Sequence, residues 1–156
     1  MPRSRYFHVD WVLTDAIAIG PAPRHARHLE RLQEMGIQGI LSLCSEVEAI
    51  PPKDLSDSFV TRRFVLPDHR AGRLPRLDEL KEALGHLSEL SSQGSVYVHC
   101  VAAMERSPLV CLGWLVQQHN MRPENALDYL MQQHPGTNPL AGQLSLIKDL
   151  YKTRNL

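Results

Sequence analysis

Chemistry concentrates in one stretch of this chain, Val96-Tyr97-Val98-His99-Cys100-Val101-Ala102-Ala103-Met104-Glu105-Arg106-Ser107-Pro108. The residues before Cys100 read as a short strand and those from Arg106 onward as a strongly apolar helix, so the intervening loop turns from a strand end into a helix start. Such a loop is an anion cradle: its backbone N–H groups and the positive end of the helix converge on one point. Arg106 adds a planar fork suited to two oxygens of a phosphate, and the amides of Val101, Ala102, Ala103, Met104, Glu105 and Arg106 form the expected phosphate-binding surface. The same donors favour the thiolate of Cys100, which is the nucleophilic form. The implied chemistry is attack of Cys100 on phosphorus, giving a phosphocysteine that water hydrolyses, with Arg106 and the loop amides meeting the charge on the equatorial oxygens. Ser107 is placed to donate a hydrogen bond to the sulfur, and His99 to order the loop. The plainer reading leaves a buried cysteine before a helix and a solvated arginine at its start.

Expelling an alkoxide or phenoxide requires a proton donor that later serves as a base toward water. Asp68 is the candidate, in the loop Leu66-Pro67-Asp68-His69-Arg70-Ala71-Gly72 directly after an expected strand. An Asp in such a loop is also a common turn former. Asp54, Asp57 and His69 are the alternatives, Gly72 offers a hinge for a moving loop, and Arg70 and Arg73 are either substrate contacts or solvated loop residues.

The elements that must position these groups alternate in type. Phe7 to Ile19 reads as one or two short strands, 23 to 35 as a helix capped by Gly36, 37 to 44 as a buried strand, and 59 to 66 as another strand. A helix of about 76 to 92 with a leucine stripe follows, then the strand 95 to 99, the helix 106 to 119, and two last helices near 123 to 133 and 139 to 151. This order implies an α/β fold: one domain with a mostly parallel central sheet flanked by helices, whose ligands bind beyond the carboxyl ends of the strands. Cys111, Trp11 and Trp114 are expected to be packing residues.

The composition supports one domain over residues 1–156. The chain has 17 Lys+Arg against 17 Asp+Glu, so nothing global attracts nucleic acid or an anionic membrane, and any anion site is local. No apolar stretch approaches the ~18 residues of a membrane span, and no signal-peptide core is present. Three cysteines point to a reducing, cytoplasmic setting without a disulfide framework. A monomer is expected.

The run HCVAAMERS resembles the His-Cys, five residues, Arg-Ser/Thr signature of the cysteine-dependent protein tyrosine phosphatases, and the whole chain looks like their compact dual-specificity branch. AIAIG with its following helix, GIQGILSL, the upstream aspartate and the closing TNPLAGQLSLIKDL extend the resemblance over nearly the full length. It implies metal-independent hydrolysis of phosphoesters, with a phosphorylated protein or a small phosphoester as partner, and Asp68 as the acid. It also implies that Asn138 braces the cradle, although a plain helix cap accounts for that residue equally, and that Cys44, otherwise a buried free cysteine, could trap oxidised Cys100 as a disulfide. Two positions depart from the family. Ala103 stands where most members have glycine, which strains the turn if φ is positive there, and Glu105 puts a carboxylate beside the cradle, either as a specificity residue or as a helix N-terminal acid, and in both cases argues against highly anionic substrates such as polyphosphoinositides. A phosphate-binding pseudophosphatase and a sulfur-transferase or arsenate-reductase-like thiol enzyme are the alternative readings.

Overall fold

The computed structural model describes residues 7–154. Five strands, β1 (Asp10–Leu13), β2 (Ile17–Gly20), β3 (Ile37–Ser42), β4 (Val60–Arg63) and β5 (Ser95–His99), form one sheet in the order β1-β2-β5-β3-β4. The β1–β2 pair is antiparallel, as a tight turn permits, and the other pairings are parallel. Six helices accompany them: α1 (Ala26–Glu34), α2 (Leu55–Ser58), α3 (Leu77–Ser91), α4 (Arg106–Gln118), α5 (Pro123–Gln133) and α6 (Ala141–Arg154). The expected α/β architecture is therefore present. Several details differ from the sequence reading, and the first helix starts at Ala26, not at 23. The strand expected over 59 to 66 is ordered only over Val60–Arg63, a one-turn helix precedes it, the strand expected to reach Cys44 stops at Ser42, and the last helix starts at Ala141 instead of 139.

The central strand β5 is hydrophobic over Val96–Val98 because it is covered on both faces. Val96 and Val98 join the larger core, with Leu80, Leu84 and Leu87 of α3 and nearly the whole of α4, while Tyr97 points to the opposite face with Leu29, Leu32, Ile40 and Phe59. The leucine stripe is core, as read, and Cys111 and Trp114 are buried. In register, Gly20 of β2 and Ser42 of β3 both lie beside His99, so three strands end on one edge. Cys100 is the first residue past that edge.

Candidate active site

The loop between β5 and α4 is held so that its carbonyls face outward. Ala22 N–H donates to the Val101 carbonyl (3.1 Å), Asn138 N–H to that of Met104 (2.9 Å), and Leu109 N–H to that of Glu105 (3.0 Å). The His99 ring meets the Cys100 carbonyl at Nδ1 (2.9 Å) and the His134 ring meets the Ala103 carbonyl at Nε2 (2.8 Å). Among the described residues, no N–H of 101–106 has a protein acceptor. A run of unpaired donors is costly unless something binds it. Ala103 makes the turn with φ 60°, a left-handed conformation that costs a residue with a Cβ about 1 kcal/mol.

The loop residues Val101, Ala102, Met104, Glu105 and Arg106 line a cavity of about 330 Å³ together with Cys100, Asp68 and Arg70. Cys100 is buried, and its sulfur lies 3.2 Å from the Ser107 hydroxyl. Behind it, burial pushes the His99 ring down to about 4, so the ring is neutral. Its Nδ1–H donates to the Cys100 carbonyl, and its Nε2 accepts from Ser42 Oγ at 2.6 Å. His99 is thus a structural strut.

Arg106 is 4% exposed, and a charge so enclosed needs a partner. Its Nη1 donates to the carbonyls of Leu43 (3.4 Å) and Leu66 (3.2 Å), and Glu48 receives both terminal nitrogens, Nη1 at 3.3 Å and Nη2 at 2.9 Å. Nη1 is fully engaged by these bonds. The Nε–H and the second Nη2–H are left as one parallel edge, which is the fork a phosphate accepts. Bonding from Arg106 holds the Glu48 carboxyl below the usual carboxylate range. The sequence reading did not single out Glu48. A local signal existed, since Ser45 and Glu48 bond reciprocally in an S-x-x-E pattern after β3, but the partner lies 58 residues away.

Asp68 lies in the cavity wall, capping the 3-10 turn His69–Ala71 by accepting from Arg70 N–H (3.0 Å). Arg70 Nη2 reaches Asp68 Oδ2 at 2.8 Å and Glu48 Oε1 at 3.2 Å, and Arg106 Nη2 lies 3.8 Å from Asp68 Oδ2. Partial burial pushes the Asp68 carboxyl up, but the Arg70 bonds and the Arg106 charge outweigh it and leave it below the ordinary Asp range. Glu105 ties the same loop to the cradle, accepting from His69 N–H (3.2 Å) and pairing with its Nδ1 (2.9 Å). Gly72, with φ 74°, ends that turn. Arg73 is committed to Glu79 through two bonds of 2.7 and 2.9 Å. Asp54 and Asp57 belong to α2 and its start, before β4, and do not line the cavity. Asn138 lies at the cavity edge three residues before α6, which removes the helix-cap explanation, and its backbone N–H braces Met104. Cys44 is buried with Ala22, Ala49 and Val101; burial raises its thiol pKa, and the charge of Cys100 adds to that rise.

Residues 17–153 match the family model of the dual specificity phosphatase catalytic domain. The chain is a member of that family. Among curated relatives it is 26% identical over 145 residues to phosphatidylglycerophosphate phosphatase PTPMT1 of Arabidopsis thaliana, covering 92% of this chain and 43% of the relative. It is 28% identical over 116 residues to dual specificity protein phosphatase 2 of Mus musculus, covering 74% of this chain and 35% of that one. It is 24% identical over 153 residues to the human phosphatidylglycerophosphatase and protein-tyrosine phosphatase 1, covering 93% of this chain and 75% of the relative. The chain thus spans less than half the length of the first two. The crystal structure of PTPMT1 in complex with PI(5)P shares the fold, with TM-score 0.82 at 18% identity over 94% of this chain and 96% of that one. The sulfur-transferase and arsenate-reductase alternative falls with this family assignment.

Proposed function

We propose that this dual specificity phosphatase domain hydrolyses phosphate monoesters through a phosphocysteine on Cys100. One observation carries the reading: among the described residues the amides of 101–106 have no protein acceptor, and all of these residues but Ala103 share a cavity with Cys100. The phosphoryl group docks with its oxygens on the amides and the Nε/Nη2 edge, its phosphorus presented to sulfur. Attack forms the S–P bond as the P–O bond to the leaving group breaks, and Asp68, protonated for this step, passes its proton to the departing oxygen. Asp68, now a carboxylate, takes a proton from water as that water attacks phosphorus and the sulfur leaves, eased by the Ser107 hydroxyl. The geometry supports an enzyme over a phosphate-binding pseudophosphatase because nucleophile, fork and acid share one cavity.

The substrate is a monoester bearing one phosphate, and a tyrosine, serine or threonine phosphate on a protein is the first class. The carboxylates Glu48 and Glu105 beside the cradle disfavour substrates carrying several phosphates. A lipid headgroup monophosphate is the second reading, supported by the matches to a relative named phosphatidylglycerophosphate phosphatase and to one named phosphatidylglycerophosphatase and protein-tyrosine phosphatase 1, which cover 92% and 93% of this chain. The test is turnover of a generic aryl phosphate, a phosphotyrosine peptide and phosphatidylglycerophosphate by the wild type and by Cys100→Ser. Activity lost in Cys100→Ser supports the mechanism and the ranking of substrates decides the class; activity that persists refutes it. Among the described residues no helix is long and apolar enough to cross a membrane, and the three cysteines support a reducing compartment.

A further inference from the structure

His134 lies outside the cavity, and no step above uses it. It follows the last residue of α5, is 7% exposed, and its two ring nitrogens meet two acceptors: the Ala103 carbonyl at Nε2 (2.8 Å) and Asp10 Oδ2 at Nδ1 (2.7 Å). The Ala103 carbonyl can only accept, so Nε2–H donates to it, while the Asp10 carboxyl holds the ring from its Nδ1 side. The other Asp10 oxygen lies 2.7 Å from His8 Nε2. Four residues after His134, the Asn138 N–H holds the next carbonyl of the cradle, that of Met104. The segment His134-Pro135-Gly136-Thr137-Asn138 therefore grips two successive carbonyls from behind.

The peptide joining Ala103 to Met104 is the one where this grip matters. Ala103 is held at φ 60°, where a residue with a Cβ is strained, so the turn stays only while its surroundings impose it. If this peptide flipped, the Ala103 carbonyl would enter the cavity and the Met104 N–H would leave it. A donor would be replaced by an acceptor facing the anion. We propose that His134 is a positioning residue for phosphate binding, keeping the Ala103 carbonyl outward and the Met104 N–H inward, with Asp10 fixing the ring. The proposal rests on the reading of the cavity as a phosphate site.

Its test is calorimetric binding of inorganic phosphate to full-length protein carrying Cys100→Ser, alone or with His134→Leu or His134→Gln. Loss of the one hydrogen bond that holds this buried carbonyl corresponds to about tenfold weaker binding in His134→Leu. His134→Gln, whose amide can still donate to the Ala103 carbonyl, should stay within about threefold of its parent. If His134→Leu fails to fold, His134→Asn, polar but too short to reach that carbonyl, replaces it with the same expected loss. Unchanged affinity in the short or apolar variant, with only a lower melting temperature, overturns the positioning role. Equal losses in Leu and Gln variants overturn the donor role. If the Cys100→Ser parent binds no phosphate, the phosphate-site reading itself fails, and the proposal with it.

Discussion

Replacing Glu48 with glutamine removes the carboxylate hydrogen-bonded to Arg106 while keeping the side-chain shape. Arg106 is 5% and Glu48 22% exposed at the side chain, and two nitrogens of the guanidinium are bonded to the carboxylate. Breaking a fully buried pair from one side costs about 3–5 kcal/mol, and the partial exposure of Glu48 puts this case at the low end or below, about 2–3 kcal/mol. The glutamine amide adds a second penalty, because its NH2 would face guanidinium donors. For a domain of this size each kcal/mol moves the midpoint by about 2–4 °C, so Glu48→Gln should melt about 4–12 °C lower. Without its brace the fork should also tilt, so inhibition by inorganic phosphate should weaken and KM rise more than kcat falls. Differential scanning calorimetry and steady-state kinetics on an aryl phosphate read both effects. A melting temperature within 2 °C of wild type, together with unchanged phosphate inhibition, would refute the account of how Arg106 is oriented.

Asp68→Asn should slow hydrolysis most for substrates with poor leaving groups and flatten the limb of the pH profile that reports the acid; an unaltered profile would move the acid elsewhere. The Arg70 bonds favour the ionised carboxylate of Asp68, so Arg70→Ala should raise its pKa and carry the descending limb of kcat/KM to higher pH, a shift checked by kinetics at constant ionic strength. Folding depresses the His99 pKa from 6.5 to about 4. The unfolded chain therefore binds the extra proton first as pH falls, and stability present above pH 6.5 should erode by up to about 3 kcal/mol toward pH 4. His99→Gln should remove most of that slope in denaturant titrations, and an equal slope would assign it to other groups. Peptide mapping after peroxide should show Cys44 joined to Cys100, whereas over-oxidised Cys100 alone would exclude the pairing.

How far the sequence carried depended on whether the relevant contacts were local. Cys100 to Ser107 sit within eight consecutive positions, and the strand before them and the helix after them were clear from hydrophobic pattern, so the cradle could be read directly. Asp68 was reachable because a loop after a strand must open at the strand's carboxyl edge. The positive φ that a substituted glycine position suggested for Ala103 is what the backbone adopts. The missing pieces are long-range. Glu48 meets Arg106 across 58 residues and His134 meets Ala103 across 31 and Asp10 across 124, and no periodicity marks such pairs. The boundaries around Phe59–Leu66 were lost for a different reason, since Phe64 and Leu66 still donate N–H bonds to the Ser42 and Leu43 carbonyls but no longer continue a regular ladder.

The central claim is that phosphorus is transferred to one sulfur. Rapid acid quench of wild-type protein during turnover of an aryl phosphate, followed by peptide mass analysis, tests it directly. The account predicts a phosphoryl group on the peptide containing Cys100, absent in Cys100→Ser and accumulating when a fast leaving group makes hydrolysis of the intermediate rate-limiting. Turnover with no phosphorylated Cys100 peptide, or with the phosphoryl group on another residue, would contradict it.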